Sequence, residues 1–480
     1  MTQCSTGQLY FKRLGSRAVV ADFRGGQLAS DAGALLLAKA DEATGLLERF
    51  AACFRDYRKP EKVEHSVLSL VRQRVYGLAQ GYEDVNDHDE LSRDPLLATA
   101  VGKADPQGLD RLRQRDKGRP LAGKSTLNRL ELTPADARAD VASWRYKKIE
   151  LDFAAAGRLF VEMFLASRAA PPAEIVLDFD ATDDPLHGRQ EGRFFHGYYD
   201  TYCYLPLYVF CGDELLVAKL RPSNLDASAG TEGVLAWLVP MIRSRWPHVH
   251  IIVRGDSGFA RDGTMAWCEA NGVDYVFGLA KNSRLRALLR DAAAAARTQW
   301  DATREPARVF HDFRYRTLDS WSRERRVVGK AEHLAEGPNP RFVVTSLPPE
   351  TWDARALYED LYCARGEMEN RIKEQQLYLF ADRTSAATLR ANQVRLWFSS
   401  LAYALLQTVR RVGLAGTVLA RARCDTIRLK LLKIGAAVRV SVRRVWVSMA
   451  SSYPHQALFR EVWRRLGGLA RGPRAIPLRC

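Results

Sequence analysis

The stretch Glu174 to Gly188, EIVLDFDATDDPLHG, is an apolar run that ends in four carboxylates, Asp178, Asp180, Asp183 and Asp184. Its β-branched and apolar residues read as a strand. Period-two alternation puts Asp178, Asp180 and Thr182 on one face, so two acids project together at the strand's end. Asp183 and Asp184 precede Pro185 and read as caps of a turn. Asp178 reads as a buried partner for a base, behind the site.

Outward from this strand, short β-like runs follow: CYLPLYVFCG, ELLVAKL, HVHIIVRGD and VDYVFGLA, with helical stretches around Glu232 to Arg245 and Asp262 to Asn271. Three strands and then strand, helix, strand make an α/β domain. The run HVHIIVRGDSGFA also ends in an acid, Asp256, between Gly255 and Gly258. Open α/β sheets place sites at the carboxyl ends of their strands, so Asp180 and Asp256 are expected to approach there. Taken alone, Asp256 reads equally as a turn cap.

A third acid comes from a helix. In LYCARGEMENRIKEQQ, residues Tyr362, Arg365, Glu369 and Lys373 recur at i+3 and i+4 steps and share one helix face. Glu367 and Glu374 read as solvated helix charges. Carboxylates from two strand ends and one helix are the hard oxygen donors that Mg²⁺ takes. Two such ions support in-line displacement at phosphorus.

With these residues in place, the spacing Tyr-x2-Arg-x3-Glu resembles that of bacterial insertion-sequence transposases of the DDE type, which have an RNase H-like core and a β insertion before the last acid. More narrowly, TDDPLHG, FHGYYDTYCYLPLYVF, LRPSNLDASAG, IIVRGDSGF and GVDYVFGLAKN, with GGQLASDAGALLL near the start, are similar to the thirteen-eighty family of these enzymes. The resemblance covers nearly the whole chain. It implies cut-and-paste DNA transposition, in which terminal inverted repeats are bound and paired by a homodimer in a synaptic complex and target DNA is joined. It implies Asp180, Asp256 and Glu369 as catalytic residues and ligands of two Mg²⁺ ions, with Mn²⁺ as a substitute, and Tyr362 and Arg365 as contacts to DNA phosphate. The family pattern has a Lys seven residues after the Glu, where this chain has Gln376; Lys373, one turn earlier, is expected to bind phosphate instead. An aromatic residue of the β insertion can stack on a flipped base in relatives; Trp300 and Trp321 are candidates for that role, but a buried core position is the reading favoured for both.

The expected architecture is α/β: residues 1–145 a helical DNA-binding region, 146–283 the first part of the RNase H-like core, 284–350 a β-rich insertion, 351–412 the last core helices and 413–480 a basic C-terminal region. Strands are expected in ARVFHDFRYRTL, RRVVGKA and RFVVTSL. A helix over Glu64 to Ala79 and another starting near Ser30 or Asp31 are expected in the first region. The run VRVSVRRVWVSM is expected as a strand with Arg439, Ser441 and Arg443 on one face.

The net charge of +16 falls on one part of the chain: Ala381 to Cys480 carries 19 Lys and Arg against only Asp382, Asp425 and Glu461. Such a one-sided excess points to a polyanion, since each phosphate neutralised releases counterions. The eight cysteines form no Cys-x-x-Cys pair and read as reduced thiols. No long apolar run or secretory leader is present, so the chain is expected in the cytoplasm with the nucleoid and away from membranes.

Gly118 to Ser125, GRPLAGKS, fits the phosphate-loop pattern, which would make an ATP-dependent DNA-binding protein. That loop works between an apolar strand and a helix, whereas the preceding DRLRQRDK is charged. Lys124 and the basic residues Arg111, Arg113, Arg115, Lys117 and Arg119 are therefore expected along a DNA backbone. A DNA-binding protein without catalysis is the other alternative. His187 and His196 read as structural hydrogen-bonding residues.

Overall fold

A computed structural model describes residues 7–138 and 146–469. They form two compact units: residues 151–407 with 131–133, and the remainder, drawn from residues before 150 and after 408.

The 151–407 unit is built on one large mixed sheet. Its strands are β1 (Glu174–Ala181), β2 (Leu207–Cys211), β3 (Glu214–Lys219), β4 (His250–Gly255), β5 (Asp274–Leu279), β6 (Ala307–Tyr315), β7 (Arg325–Leu334) and β8 (Arg341–Thr345). Their order is β3-β2-β1-β4-β5-β8-β7-β6, and a two-residue strand pairs with the end of β7. β4 runs parallel to β1 and β5, and the remaining pairs are antiparallel.

Alternation along the central strands sorts residues between two cores. Ile175, Leu177 and Phe179 of β1, with Ile251 and Val253 of β4, face one core, joined by Phe164 of helix α1 (Phe153–Ala166) and Leu235, Leu238 and Ile242 of helix α2 (Thr231–Arg245). Ile252, Val276, Val328 and Val343 face the other, under Leu357, Tyr358 and Leu361. Asp178, Asp180 and Arg254 have the same parity as Ile252, so their strands direct them to this second face. Each fully buried aliphatic side chain contributes roughly 1.5–3 kcal/mol.

The β-rich stretch is not a body of its own. β6, β7 and β8 are strands as expected, but β8 pairs with β5 (Val276 opposite Thr345, Leu279 opposite Phe342), so they extend the sheet that carries Asp180 and Asp256. Sequence spacing shows that strands exist; pairing partners depend on distant residues.

In the other unit, the helix Val67–Gln80 is capped by Ser66, whose Oγ accepts from Ser69 N at 3.2 Å. The first helix begins at Ala34 with Gly33 as its N-cap, two residues beyond Asp31. Asp31 does other work: it pairs with Lys433 Nζ at 2.7 Å and accepts from Tyr82 Oη at 2.5 Å. Gly33 packs where a Cβ would lie 2.2 Å from the Leu431 carbonyl oxygen. Leu28–Ala29 pairs with Ala436–Ala437, so early and late segments share one sheet. VRVSVRRVWVSM is two strands, Ala436–Val440 and Val445–Met449, joined by a turn that holds Ser441 and Arg443. Ser441 N donates to the Arg444 carbonyl at 2.8 Å, which closes that turn. Among the described residues, no helix is long and apolar enough to cross a membrane.

Candidate active site

Asp180 lies near the end of β1, opposite Tyr208 of β2. β4 is parallel to β1 with Gly255 level with Phe179, which brings Asp256, the next residue, beside the Asp180 end. Asp256 is also a turn residue: its Oδ1 accepts from Gly258 N at 2.8 Å.

The third acid arrives on a helical run from Ala354 to Tyr378 that alternates α, π and 3-10 turns. Leu357, Tyr358 and Leu361 seat the run on the sheet, and helix α3 (Gly366–Lys373) carries Glu369 over the strand ends. Tyr362 lies over β5 because position 278 is glycine. A Cβ there would stand 2.5 Å from Tyr362 Oη and 3.0 Å from Ser257 N.

Asp180, Asp256, Arg365, Glu369 and Lys373 line one cavity of about 610 Å³, together with Tyr199 and Asp226. Arg365 sits among the acids, 2.6 Å from Glu369 and 3.9 Å from Asp180. Burial pushes the Asp180 carboxyl up to about 7, with Arg365 opposing and the charges of Asp256 and Glu369 adding. The charges of Asp256 and Glu369 disfavour ionisation of Asp180, a repulsion that a cation among them would relieve. Among the described residues, no three Asp, Glu, His or Cys side chains stand in a metal-binding group; Glu369 is turned to Arg365. The donor set itself is three hard oxygen ligands on one polar wall, which suits a divalent ion.

A family model, the transposase DDE domain group 1, matches residues 11–471. The chain belongs to this family. It is accordingly a DDE transposase, a metal-dependent DNA nuclease and strand transferase. No curated protein matches the chain. Among solved structures, it is similar to a piggyBac transposase synaptic complex with hairpin DNA, with 10% identity, a TM-score of 0.42, and coverage of 85% of this chain and 82% of that one.

Other candidate residues of the transposase fall as follows. Gln376 lines the cavity too, but its Nε2 is committed: it donates to the Asp183 carbonyl at 2.9 Å and to Asp184 Oδ1 at 3.0 Å. Asp184 is not an exposed turn cap but a fully buried strand residue opposite Tyr204, its carboxyl raised well above the usual range by burial. Asp178 is the expected partner of a base, taking Nε and Nη2 of Arg254. Glu374 is buried rather than solvated and pairs with Arg371. Trp321 is a core residue, edge-on to Tyr315 at 5.6 Å, and Trp300 packs on His333 at 5.1 Å.

The phosphate-loop reading fails. The residues before Gly118 form a 3-10 turn, and where helix Lys124–Glu131 begins, Asp89 already accepts from Lys124 N at 3.0 Å. Lys124 Nζ lies 3.3 Å from the same carboxylate. Arg111 is held by Glu64, while Arg113, Arg115, Lys117 and Arg119 are exposed.

Three residues at or behind the cavity were missed from sequence. His196 was set aside, yet it lines the wall with its Nδ1 unpartnered. Asp226 lines it too, committed to Arg261 at 2.7 Å. Arg254 is buried behind it; an arginine between apolar residues of a strand was the available signal.

Proposed function

We propose that Asp180, Asp256 and Glu369 are the catalytic acids of a cut-and-paste transposase of a bacterial insertion sequence, of the thirteen-eighty family, on an RNase H-like core. The carrying observation is that three acids from two strand ends and one helix line a single polar cavity with Arg365 and Lys373. The acids would hold two Mg²⁺ ions, or Mn²⁺ in their place. When bound, the ions supply Lewis acidity to the phosphodiester and lower the pKa of the attacking water or hydroxyl.

The chain's own groups orient the substrate. Arg365 is a fork of donors in a half-buried wall, suited to bidentate phosphate contact. Its charge is sustained, against burial, by Asp180 and Glu369. Lys373, exposed one turn beyond Glu369, would add a positive charge, and Tyr362, seated over Gly278, would contact DNA phosphate. Lys124 and the exposed basic loop near it would follow the DNA backbone. The substrates are the terminal inverted repeats of the element and its target DNA, paired by a homodimer in a synaptic complex. The domain scheme is a helical DNA-binding region over 1–145, a core over 146–283 and 351–412 that includes the 284–350 strands, and a basic region over 413–480.

The test is cleavage of a DNA fragment bearing both ends of the element in Mg²⁺. Asp180→Asn, Asp256→Asn and Glu369→Gln are each expected to bind the ends and to cut at least about 10³-fold more slowly, because the ions contribute several kcal/mol to the transition state. Cutting at the wild-type rate by any of them removes that residue from the proposal.

A further inference from the structure

In the discontinuous unit, the strands Ala436–Val440 and Val445–Met449 form an antiparallel ribbon that ends in the turn from Ser441 to Arg444. Alternation separates its two faces. Val438, Val440, Val445, Val447 and Met449 pack on a core with Leu96, Ile434 and Phe459. On the outer face, exposed Arg439 stands opposite Trp446, and the small residues Ala437 and Ser448 stand opposite each other behind them. The turn is braced by its own hydrogen bonds: Ser441 N and Oγ donate to the Arg444 carbonyl at 2.8 and 3.0 Å, and Arg444 N donates to Ser441 Oγ at 3.2 Å. Val442 is fully exposed there, with Arg443 and Arg444 exposed beside it. The Arg444 guanidinium lies 5.5 Å from the centre of the Trp446 ring.

Nothing nearby balances this charge. No Asp or Glu occurs from Thr426 to Arg460, against seven Lys and Arg. The two carboxylates that border the stretch are taken, Asp425 by Arg423 at 3.3 Å and Glu461 by Arg464 and Arg465 at 2.7 and 2.6 Å. Among the described residues, Arg439, Arg443 and Arg444 have no carboxylate partner. A ribbon held by its apolar inner face thus presents three cationic forks in a fixed arrangement.

We propose that this ribbon lies in the major groove of duplex DNA with its outer face on the base edges, a proposal that rests on the reading of the chain as a protein that binds the ends of its element. Width selects the groove: two strands about 4.8 Å apart, with their side chains, fit a groove about 12 Å wide and not one of about 6 Å. Position sorts the side chains. Arg439, within the outer face, meets the groove floor, where its fork matches the paired acceptors of guanine. Arg443 and Arg444, at the turn, meet backbone phosphates. Ala437 and Ser448 are small enough to let the strands approach the bases.

The experiment uses the full chain in EDTA, where cutting is off, with a fluorescent duplex bearing one end of the element and a scrambled duplex of the same composition. Wild type should prefer the end. Arg439→Ala should bind the end about tenfold more weakly and the scrambled duplex nearly as wild type does. Arg443→Ala and Arg444→Ala should weaken both alike, each reducing the slope of log affinity against log salt by about 0.9. Replacing guanine in the end by 7-deazaguanine, which removes a major-groove acceptor, should weaken wild type and leave Arg439→Ala unaffected. Arg297→Ala removes the same charge from an exposed helix position elsewhere and should change neither affinity. All four side chains are exposed, so the variants are expected to melt with wild type. Wild-type affinity in all three ribbon variants, an equal loss from Arg439→Ala on both duplexes, a loss from Arg297→Ala as large as theirs, or indifference of wild type to 7-deazaguanine would each overturn the ribbon and leave the end-binding reading standing. Equal binding of the two duplexes by wild type would remove that reading, and the ribbon with it.

Discussion

Arg254 is a buried guanidinium that gives two nitrogens to Asp178 on β1 and a third to the Leu361 carbonyl of the helical run. One side chain on β4 therefore joins the three elements that carry Asp180, Asp256 and Glu369. Arg254→Met leaves Asp178 buried beside no positive partner of its own strand pair, which costs about 3–5 kcal/mol; urea unfolding should show that loss, and Asp178→Leu added to Arg254→Leu should recover part of it. If Arg254→Met is as stable as wild type, the pin is not structural. Gly278 is a second residue-scale constraint. Gly278→Ala places a methyl against Tyr362 Oη and the Ser257 amide, an overpacking expected to cost about 1–3 kcal/mol. Tyr362→Phe in the same chain should return part of the stability; no rescue would mean that the backbone at Ser257, not the tyrosine, sets the limit.

At the scale of elements, Gln376 bridges the helical run to the strand Asp184–Pro185. Gln376→Ala leaves buried acceptors unmet, at about 1–3 kcal/mol, and should lower the melting temperature without altering phosphate affinity; a selective loss of DNA binding would instead restore Gln376 to the phosphate site. The acid-bearing strands were legible because each is an apolar run that stops at an aspartate, and the helical run from Ala354 to Tyr378 because Tyr362, Arg365 and Glu369 keep helical spacing. The fate of β6 to β8 was not legible, since a strand's neighbours depend on pairings such as that of Val276 with Thr345. Asp184 and Glu374 misled for a related reason: a charged residue next to proline or on a polar helix reads as exposed unless its distant partner, Gln376 or the cover over Arg371, is known. The tight turn in VRVSVRRVWVSM is signalled only by the Arg443–Arg444 doublet that interrupts the alternation, for neither glycine nor proline marks it.

At the scale of the molecule, the two units respond oppositely to acid. In the discontinuous unit, burial lowers His65 and His88 to about 3 each. The native imidazoles stay neutral while the unfolded ones protonate below their ordinary 6.5, so stability is lost as pH falls through that value. In the other unit, His250 is raised, against burial, by hydrogen bonds to Asp274 and Glu174, so its contribution is present below 6.5 and lost as pH rises. Calorimetry near pH 7 and about pH 5 should show one transition moving down and the other holding; two transitions falling together would refute the assignment of the buried histidines. DNA affinity should fall linearly on a log scale with salt, with a slope of about −0.9 per phosphate neutralised; a flat response would leave the basic 381–480 stretch without a role in binding. The pairing of Leu28–Ala29 with Ala436–Ala437 has a temporal consequence. During synthesis at about 5–20 residues per second, the 151–407 unit has all its strands before the ribosome reaches residue 436. The discontinuous unit must wait, its early segments exposed, until the late strand emerges. A nascent chain thus completes its large mixed sheet first, and the remaining unit closes only once translation has passed the late strands.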